Sequence, residues 1–276
     1  MTKIFLTLLC ILFAVFLSRS QTQGAGVIDI EGNQYSSVII GSQEWMAENL
    51  RTATYANGDP IPFVIVSSDW WNLTTGACVD YYVVPQYITF YGKLYNWYAV
   101  NDSRNLCPTG WHLPTDAEWN ILIKHLDPFS SPASQTSPPG YKMKSTGTQY
   151  WQSPNTGATN QSGFSGLPGG CRAPSFSEID QSGYWWSSSE SITNEAWVRS
   201  LYFNYSIVAR TSRLKYNGYS VRCLKTVPLE LIELIPTNKE LVKIVDLLGR
   251  ETEFKSNTLL IYVYSDGTTE RVFNAE

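Results

Sequence analysis

The sequence predicts an α+β domain of about two hundred residues followed by a smaller β unit. Three observations lead there. A strongly signalled amphipathic helix starts at Thr115. A series of short strand patterns fills 184–224. Long stretches rich in Ser, Pro, Gly, Asn and Thr, with little periodicity, separate them.

Taken in chain order, 27–30 and 35–40 read as a hairpin around Glu31-Gly32-Asn33, and Gly41-Ser42-Gln43 as a second turn before Glu44-Trp45-Met46. Tyr91, Leu94, Tyr95 and Tyr98 recur at i, i+3, i+4, i+7, the spacing of one face of a short helix. At Pro114-Thr115-Asp116-Ala117-Glu118, Thr115 can accept from the amide three residues on while Glu118 reaches back, a capping box. Trp119, Leu122, Ile123 and Leu126 continue as an apolar stripe, and Asp127-Pro128 ends the helix. The stretch 130–183 is too long for a structureless loop, so short strands and turns stitched by side chains are expected there. Late strands follow at 184–188, 196–203, 206–210 and 219–224. Thr226-Val227-Pro228 marks a change of composition: all ten Trp precede it, and the tail 229–276 has no Trp and no Cys. In the tail, 242–246, 259–264 and 269–273 read as strands, with turns at Gly249 and at Ser265-Asp266-Gly267.

The first twenty residues carry an export signal. Lys3 is followed by the fourteen apolar-rich residues 4–17, then by Ser18-Arg19-Ser20 with small residues at −3 and −1. A membrane span needs about 20 apolar residues, so residues 1–20 read as a signal peptide and not as an anchor. No later stretch is apolar enough to span a membrane. A net charge of −4 leaves no basic footprint for nucleic acid. Aromatic residues make up 14% of the chain, which supports a folded domain and excludes disorder. Beyond Cys10 there remain Cys78, Cys107, Cys171 and Cys223. Their wide spacing disfavours zinc and favours disulfides, with three possible pairings.

Six segments occur in a telling order: IGSQEWMAENL (40–50), YGKLYNWYAV (91–100), CPTGWHLPTDAEW (107–119), NTGATNQSGFSGLPGG (155–170), GYWWSSSE (183–190) and GYSVRCLK (218–225). Together they resemble the Fibrobacter succinogenes major paralogous domain, over 27–226. The resemblance implies a C-type-lectin-like fold, related to the formylglycine-generating enzyme group through the shared LPT-x-A-E-W helix start. It implies an exported bacterial surface protein and supplies no catalytic residue to carry over. Cys171 stands where the family has an aromatic residue. The tail segment 241–273 resembles a type IX secretion C-terminal sorting domain of Bacteroidota, with Pro236-Thr237-Asn238 in place of its usual upstream motif. The implied partner is the type IX machinery. The route is then the periplasm, followed by passage across the outer membrane with loss of the tail 229–276, leaving a secreted or surface protein. Among the disulfide pairings, Cys107–Cys223 is preferred, because it ties the start of the helix to the last strand of the domain. Cys78–Cys171 is then left over, and the other pairings stay open.

The chemistry of the chain is sparse. There is no G-x-S-x-G elbow, and only His112 and His125 could serve a triad. His112 reads as a packed core residue and His125 as solvent-facing. A copper or thiol oxidase needs paired late cysteines, and only Cys223 lies late. Glu178, Asp180, Glu190 and Glu195 could suggest a glycosidase, but scattered loop acids are ordinarily solvated. No E-P-N or Q-P-D triplet is present for calcium-dependent sugar binding. A structural calcium on backbone carbonyls would leave no sequence trace, so no cofactor is assigned. Trp185 and Trp186 are adjacent on a strand and point to opposite faces, so one should be core and the other is either a second packing residue or a stacking platform for a sugar or peptide; Trp70-Trp71 poses the same question in a loop. The loops 189–196 and 204–217 add Asn194, Glu195, Asn204, Arg210 and Arg213 as candidate ligand residues. The expected function is a non-catalytic surface module that binds an extracellular glycan or protein. The alternatives are an oxidase of the formylglycine-generating kind, another exported enzyme, or a structural surface protein.

Overall fold

A computed structural model describes residues 21–131, 133–173, 175–226, 241–254, 258–265 and 269–273. The expected signal peptide and the segment Pro236-Thr237-Asn238 lie outside the described residues, as does the linker beyond Thr226. The described residues fall into two compact units, 21–226 and 241–273. Short helices and several small, mostly antiparallel sheets make the fold α+β.

The larger unit is organised by one long strand, Ser182–Ile192. It pairs antiparallel with Glu195–Tyr202, which pairs with Val208–Leu214 and through it with Thr136–Ser137. On its other side it meets Gly169–Arg172 in parallel, and Phe176–Ile179 forms the outer edge. Successive side chains on a strand point to opposite faces, and here both faces are buried. Trp185 enters one core, with Trp45, Trp119, Phe164 and Leu201. Trp186 enters the other, with Tyr95, Tyr184, Val198 and Tyr219. A third, smaller core gathers Trp70, Val79, Tyr81 and Leu94.

The helix Asp116–Leu126 covers the first core with Trp119, Leu122 and Ile123. Its capping box is formed as the sequence implies: the Glu118 amide donates to Thr115 Oγ1, and the Thr115 amide donates to Glu118 Oε2 at 2.8 Å. A four-stranded sheet closes the unit by pairing Leu224–Thr226 with Gln43–Met46, next to Ser37–Ile40 and Thr22–Gln23. Just before that last strand, Arg222 is fully buried. Its guanidinium donates to four neutral oxygens: Asn49 Oδ1 at 2.8 Å, Met46 O, Phe164 O and Ser165 O. The Phe164 ring lies 4.1 Å from the guanidinium carbon. Cys223, the next residue, is bonded to Cys107.

Two local expectations change. The spacing that suggested a helix over 91–98 is divided among a helix Pro85–Tyr91, a strand Leu94–Tyr95 and a helix Trp97–Val100. Gly92 adopts φ 74°, which ends the first helix, and Asn96 caps the second by accepting from the Ala99 amide. The stretch 35–40 is shared between two partners: Gln34–Tyr35 pairs with Val27–Ile28, while Ser37–Ile40 pairs with Gln43–Met46. Within 130–183, side chains do much of the stitching. Lys144, fully buried, donates to the carbonyls of Thr156, Tyr202 and Tyr205.

The smaller unit is an antiparallel meander of Leu241–Val245, Leu259–Tyr264 and Thr269–Phe273. Val245 and Leu260 are its buried apolar residues.

Replacing Arg222 by Lys should lower stability by about 3 kcal/mol, because three ammonium donors cannot serve the four acceptors of a planar fork. Guanidinium denaturation tests this, and a change within about 0.5 kcal/mol would contradict it. Reduction of Cys107–Cys223, which closes a separation of 116 residues, should cost about 4–5 kcal/mol in the chain-entropy account. Intact mass after alkylation of the unfolded chain should report two free thiols before reduction and two more after it, setting aside Cys10 of the expected leader. Burial pushes the Cys78 thiol and the Tyr55 and Tyr81 phenols up to about 12. Their folded-state pKa values are raised, so their stabilisation is complete below about pH 9 and is lost as pH climbs towards about 12. A urea midpoint unchanged across that alkaline range would refute this.

Candidate functional site

The clearest surface built for contact is a belt of aromatic rings around the sheet edge Phe176–Ile179. Tyr81 and Tyr82 come from the 3-10 turn Tyr81–Val83, and Tyr87, Phe90 and Tyr91 from the helix Pro85–Tyr91. Tyr87 and Tyr91 are four residues apart, so they share one helix face. Ring contacts run from Phe90 to Tyr150 (5.3 Å), Tyr91 to Tyr87 (5.7 Å), Tyr81 to Tyr82 (5.0 Å) and Tyr82 to Phe176 (4.9 Å). The third core supports the belt from below. Arg172, almost fully buried, lies between the rings of Phe176 (4.5 Å) and Trp70 (5.0 Å) and donates to Ile65 O. At the surface, Tyr82 is 60% and Phe90 45% exposed.

Two exposed carboxylates flank this edge, Asp180 beside the belt and Glu178 beside Tyr184 of the second core. Tyr184 donates its hydroxyl to Glu178 Oε2 at 2.5 Å, and Tyr91 donates to Asp180 Oδ1 at 2.9 Å. Burial first, and then the carboxylate, raises both phenols well above their usual range, so the two tyrosines remain donors at neutral pH. Tyr82, Glu178 and Asp180 all have left-handed backbones, with φ of 49°, 63° and 63°. Such conformations persist where the surroundings over-determine them. The Asp180 amide donates to Pro168 O, and its carbonyl accepts from Gln152. Gly170 stands opposite Glu178 in the hairpin with φ 64°, and a Cβ there would lie 2.5 Å from Ser177 O.

The residues singled out from sequence are distributed differently. Trp185 and Trp186 are both fully buried, so neither ring is a stacking platform. The expectation of one solvent-facing ring fails because the sheet is covered on both sides. Trp185 N–H is spent on Asn49 Oδ1 and Trp186 N–H on Tyr95 O. Arg210 and Glu195 share the face of the sheet that the helix Asp116–Leu126 covers: Arg210 grips Asp116 through Nε and Nη2 and stacks 3.3 Å from the centre of Trp197, while Glu195 accepts from Ser212. Arg213 alternates to the other face, and its Nη1 reaches Ser212 O at 3.2 Å. Asn194 and Asn204 are exposed in turns, and the Asn194 carbonyl accepts from the Lys215 amide. Trp70 and Trp71 end a short helix, Ser67–Trp71, rather than lying in a loop; Trp70 is buried and Trp71 is 47% exposed.

Other chemistry is quiet. Cys78 and Cys171 are separate buried thiols and not the second disulfide. Cys171 faces Ser177 Oγ at 3.3 Å across its own hairpin, whereas Cys78 sits in the strand Cys78–Val79 paired with Leu94–Tyr95. Burial raises both thiols and so disfavours a thiolate. The His112 side chain is 43% exposed rather than packed, and its Nε2 lies 2.6 Å from Glu118 Oε1. Burial opposes the Glu118 charge, but the Thr115 amide and His112 outweigh it and hold the carboxyl below its usual range. His125 is solvent-facing. Glu190 pairs with Lys215 at 2.8 Å. Among the described residues, no three His, Cys, Asp or Glu side chains gather so as to hold a metal ion, and no helix is long and apolar enough to cross a membrane. An open cavity of about 410 Å³ lies between the first strands, lined by Gly24, Tyr35, Ser37 and Glu48. Several of its polar side chains are already engaged: Tyr35 with Asp29, Ser37 with Glu44, and Glu48 with Ser36 and Arg51.

The belt left little trace in a linear reading. Its rings are scattered from Tyr81 to Phe176, and its acids look like ordinary loop acids. The available signal was the density of Tyr and Phe over 81–91, between segments of recognisable pattern.

No match was found among curated proteins or among solved structures. The family model of the Fibrobacter succinogenes major domain matches residues 38–225, more than half of the 276-residue chain and nearly all of the larger unit. The chain therefore belongs to the Fibrobacter succinogenes major domain family.

Proposed function

We propose that the chain is an exported, non-catalytic binding module of C-type-lectin-like architecture that works at the cell surface or beyond it. In this reading, 1–20 is a signal peptide, 27–226 the working domain and 229–276 a type IX sorting tail removed during export. The ligand is an extracellular glycan or protein. The observation that carries the reading is the aromatic belt, exposed at Tyr82 and Phe90, with the carboxylate of Asp180 fixed beside it. Large, rigid amphipathic rings with few rotatable bonds give contact area at low entropic cost, and hydroxyl-held carboxylates give direction. A disulfide suits an oxidising compartment. The oxidase alternative gains nothing from two separate buried thiols. The purified protein, screened against broad glycan and cell-envelope protein panels, should show saturable binding that Tyr82→Ala weakens. Absence of saturable binding across both panels, together with turnover of a substrate, would defeat the reading. Fractionation of cells lacking type IX export should find the chain retained in the periplasm with its tail uncut; normal surface delivery there would remove the sorting role.

A further inference from the structure

Resting on the proposed binding role, we infer that the ligand is a protein, which adds an extended apolar segment with flanking basic residues as a strand beside 62–65 and lays it against Tyr82 of the belt. Three features point to this chemistry.

The first is an open strand edge. The stretch 62–66 leads into the helix Ser67–Trp71 and runs beside the strand Cys78–Val79, with Phe63 bridged in parallel to Cys78. The Cys78 amide donates to Pro62 O, and the Val64 amide donates to Cys78 O. Backbone groups of alternate residues on a strand face the same edge, so those of Phe63 and Ile65 face away from Cys78. Among the described residues, the Phe63 amide and carbonyl and the Ile65 amide have no hydrogen-bond partner, while Ile65 O accepts from Arg172. A row of this kind is a template for an added strand.

The second is side-chain character. Val64 packs into the third core. By alternation Phe63 and Ile65 then point outward together, and they are 44% and 48% exposed. Ile65 adjoins the belt: Arg172, which takes its carbonyl, lies against Phe176, and Phe176 lies against Tyr82. Ile65 and its exposed neighbour Val66 offer no ring face on which a sugar could stack. They do match the apolar side chains that a strand presents on one face.

The third is charge. Two exposed acids stand beside this surface, Asp69 in the helix after Val66 and Asp180 at the Tyr91 hydroxyl. The cations that touch it are buried and engaged. Arg172 lies against Phe176 and Trp70, and Lys93 pairs with Asp80 at 2.6 Å, 5.3 Å from the centre of the Phe63 ring. Glu178 and Arg213 lie instead with the second core, beside Tyr184 and Tyr219. Basic residues flanking the apolar segment would meet Asp69 and Asp180 with opposite charge; acidic ones would meet them with like charge, which costs affinity.

The test uses the full chain and calorimetric titration with four kinds of probe: decapeptides in which Lys alternates with Val, Ile, Leu or Phe; the same peptides N-methylated throughout; decapeptides with Glu in place of Lys; and β-1,4-linked hexaoses of glucose, xylose and mannose. At least one Lys peptide should bind. N-methylation removes the main-chain donors and keeps the side chains, so it should weaken binding at least tenfold, as should Glu for Lys. Ile65→Ser and Tyr82→Ala should each weaken the Lys peptide roughly tenfold. Phe129→Ala, an exposed ring outside the belt, should change nothing. If a variant fails to fold, as judged by Tm, the N-methylated peptides on the unaltered chain carry the test. Methylated or Glu peptides binding as tightly as the Lys peptides, or binding indifferent to both variants, would overturn the inference. So would a neutral hexaose that binds while every peptide is silent; the binding-module reading then stands, with a glycan as its ligand. Silence of all four probe kinds overturns the strand addition, and the broad panels then decide whether the module reading falls with it.

Discussion

The larger unit depends on one buried guanidinium. Arg222 is fully buried, and its acceptors are neutral oxygens. A buried cation is tolerated only when its donors are met, and the five donors of Arg form a rigid planar fork. Meeting them requires Met46 from the first sheet, Asn49 from the stretch just after it, and Phe164 and Ser165 from the irregular middle to converge on one residue near the domain's end. Asn49 extends the network by accepting from Trp185 and donating to Tyr91 O and Ser220 Oγ. The Cys107–Cys223 bond then anchors the stretch that leads into the capped helix to the neighbouring residue.

Seen from this centre, the six segments that carry the family resemblance have a common purpose. Asn49, Tyr91, Cys107, Phe164, Trp185 and Arg222 belong to one segment each, and all meet around the guanidinium or its covalent neighbour. Segments of this kind specify architecture. They allow many ligands, because a shared core does not set what a surface binds. Most of the aromatic belt lies between those segments: Tyr82, Tyr87, Phe90, Tyr150, Phe176 and Asp180 fall in none of them. A scaffold held by its centre can vary such a surface without disturbing the fold, and loops on a rigid frame are where recognition residues concentrate.

The two tryptophans of 183–190 show how a sound local rule can mislead about a site. Alternation correctly placed Trp185 and Trp186 on opposite faces. The further step, that one face would be open, depended on how many layers the domain has. With helix Asp116–Leu126 on one side and the second core on the other, the strand is an inner wall and both rings are structural. The rings exposed for contact lie instead where the sheet ends and its edge is bent by left-handed residues.

Local chemistry alone therefore determined the capping-box helix from Thr115, the late strands near 184–188, 196–203 and 206–210, the tail meander and the α+β class, because each rests on contacts between residues close in the chain or on a simple period. It also favoured Cys107–Cys223 among three pairings. The strand expected over 219–224 is instead isolated bridges at Tyr219 and Ser220 and a short strand Leu224–Thr226. Tertiary structure decided the rest. Gly92 and Asn96 divided an apparent helix into three elements, since the backbone had to turn there to meet its neighbours. Cys78 and Cys171 stayed apart, each held in its own strand pair. The belt exists only because a 3-10 turn, a short helix, a loop ring at Tyr150 and a sheet edge converge across almost a hundred residues of sequence, a distance over which no periodic pattern can speak.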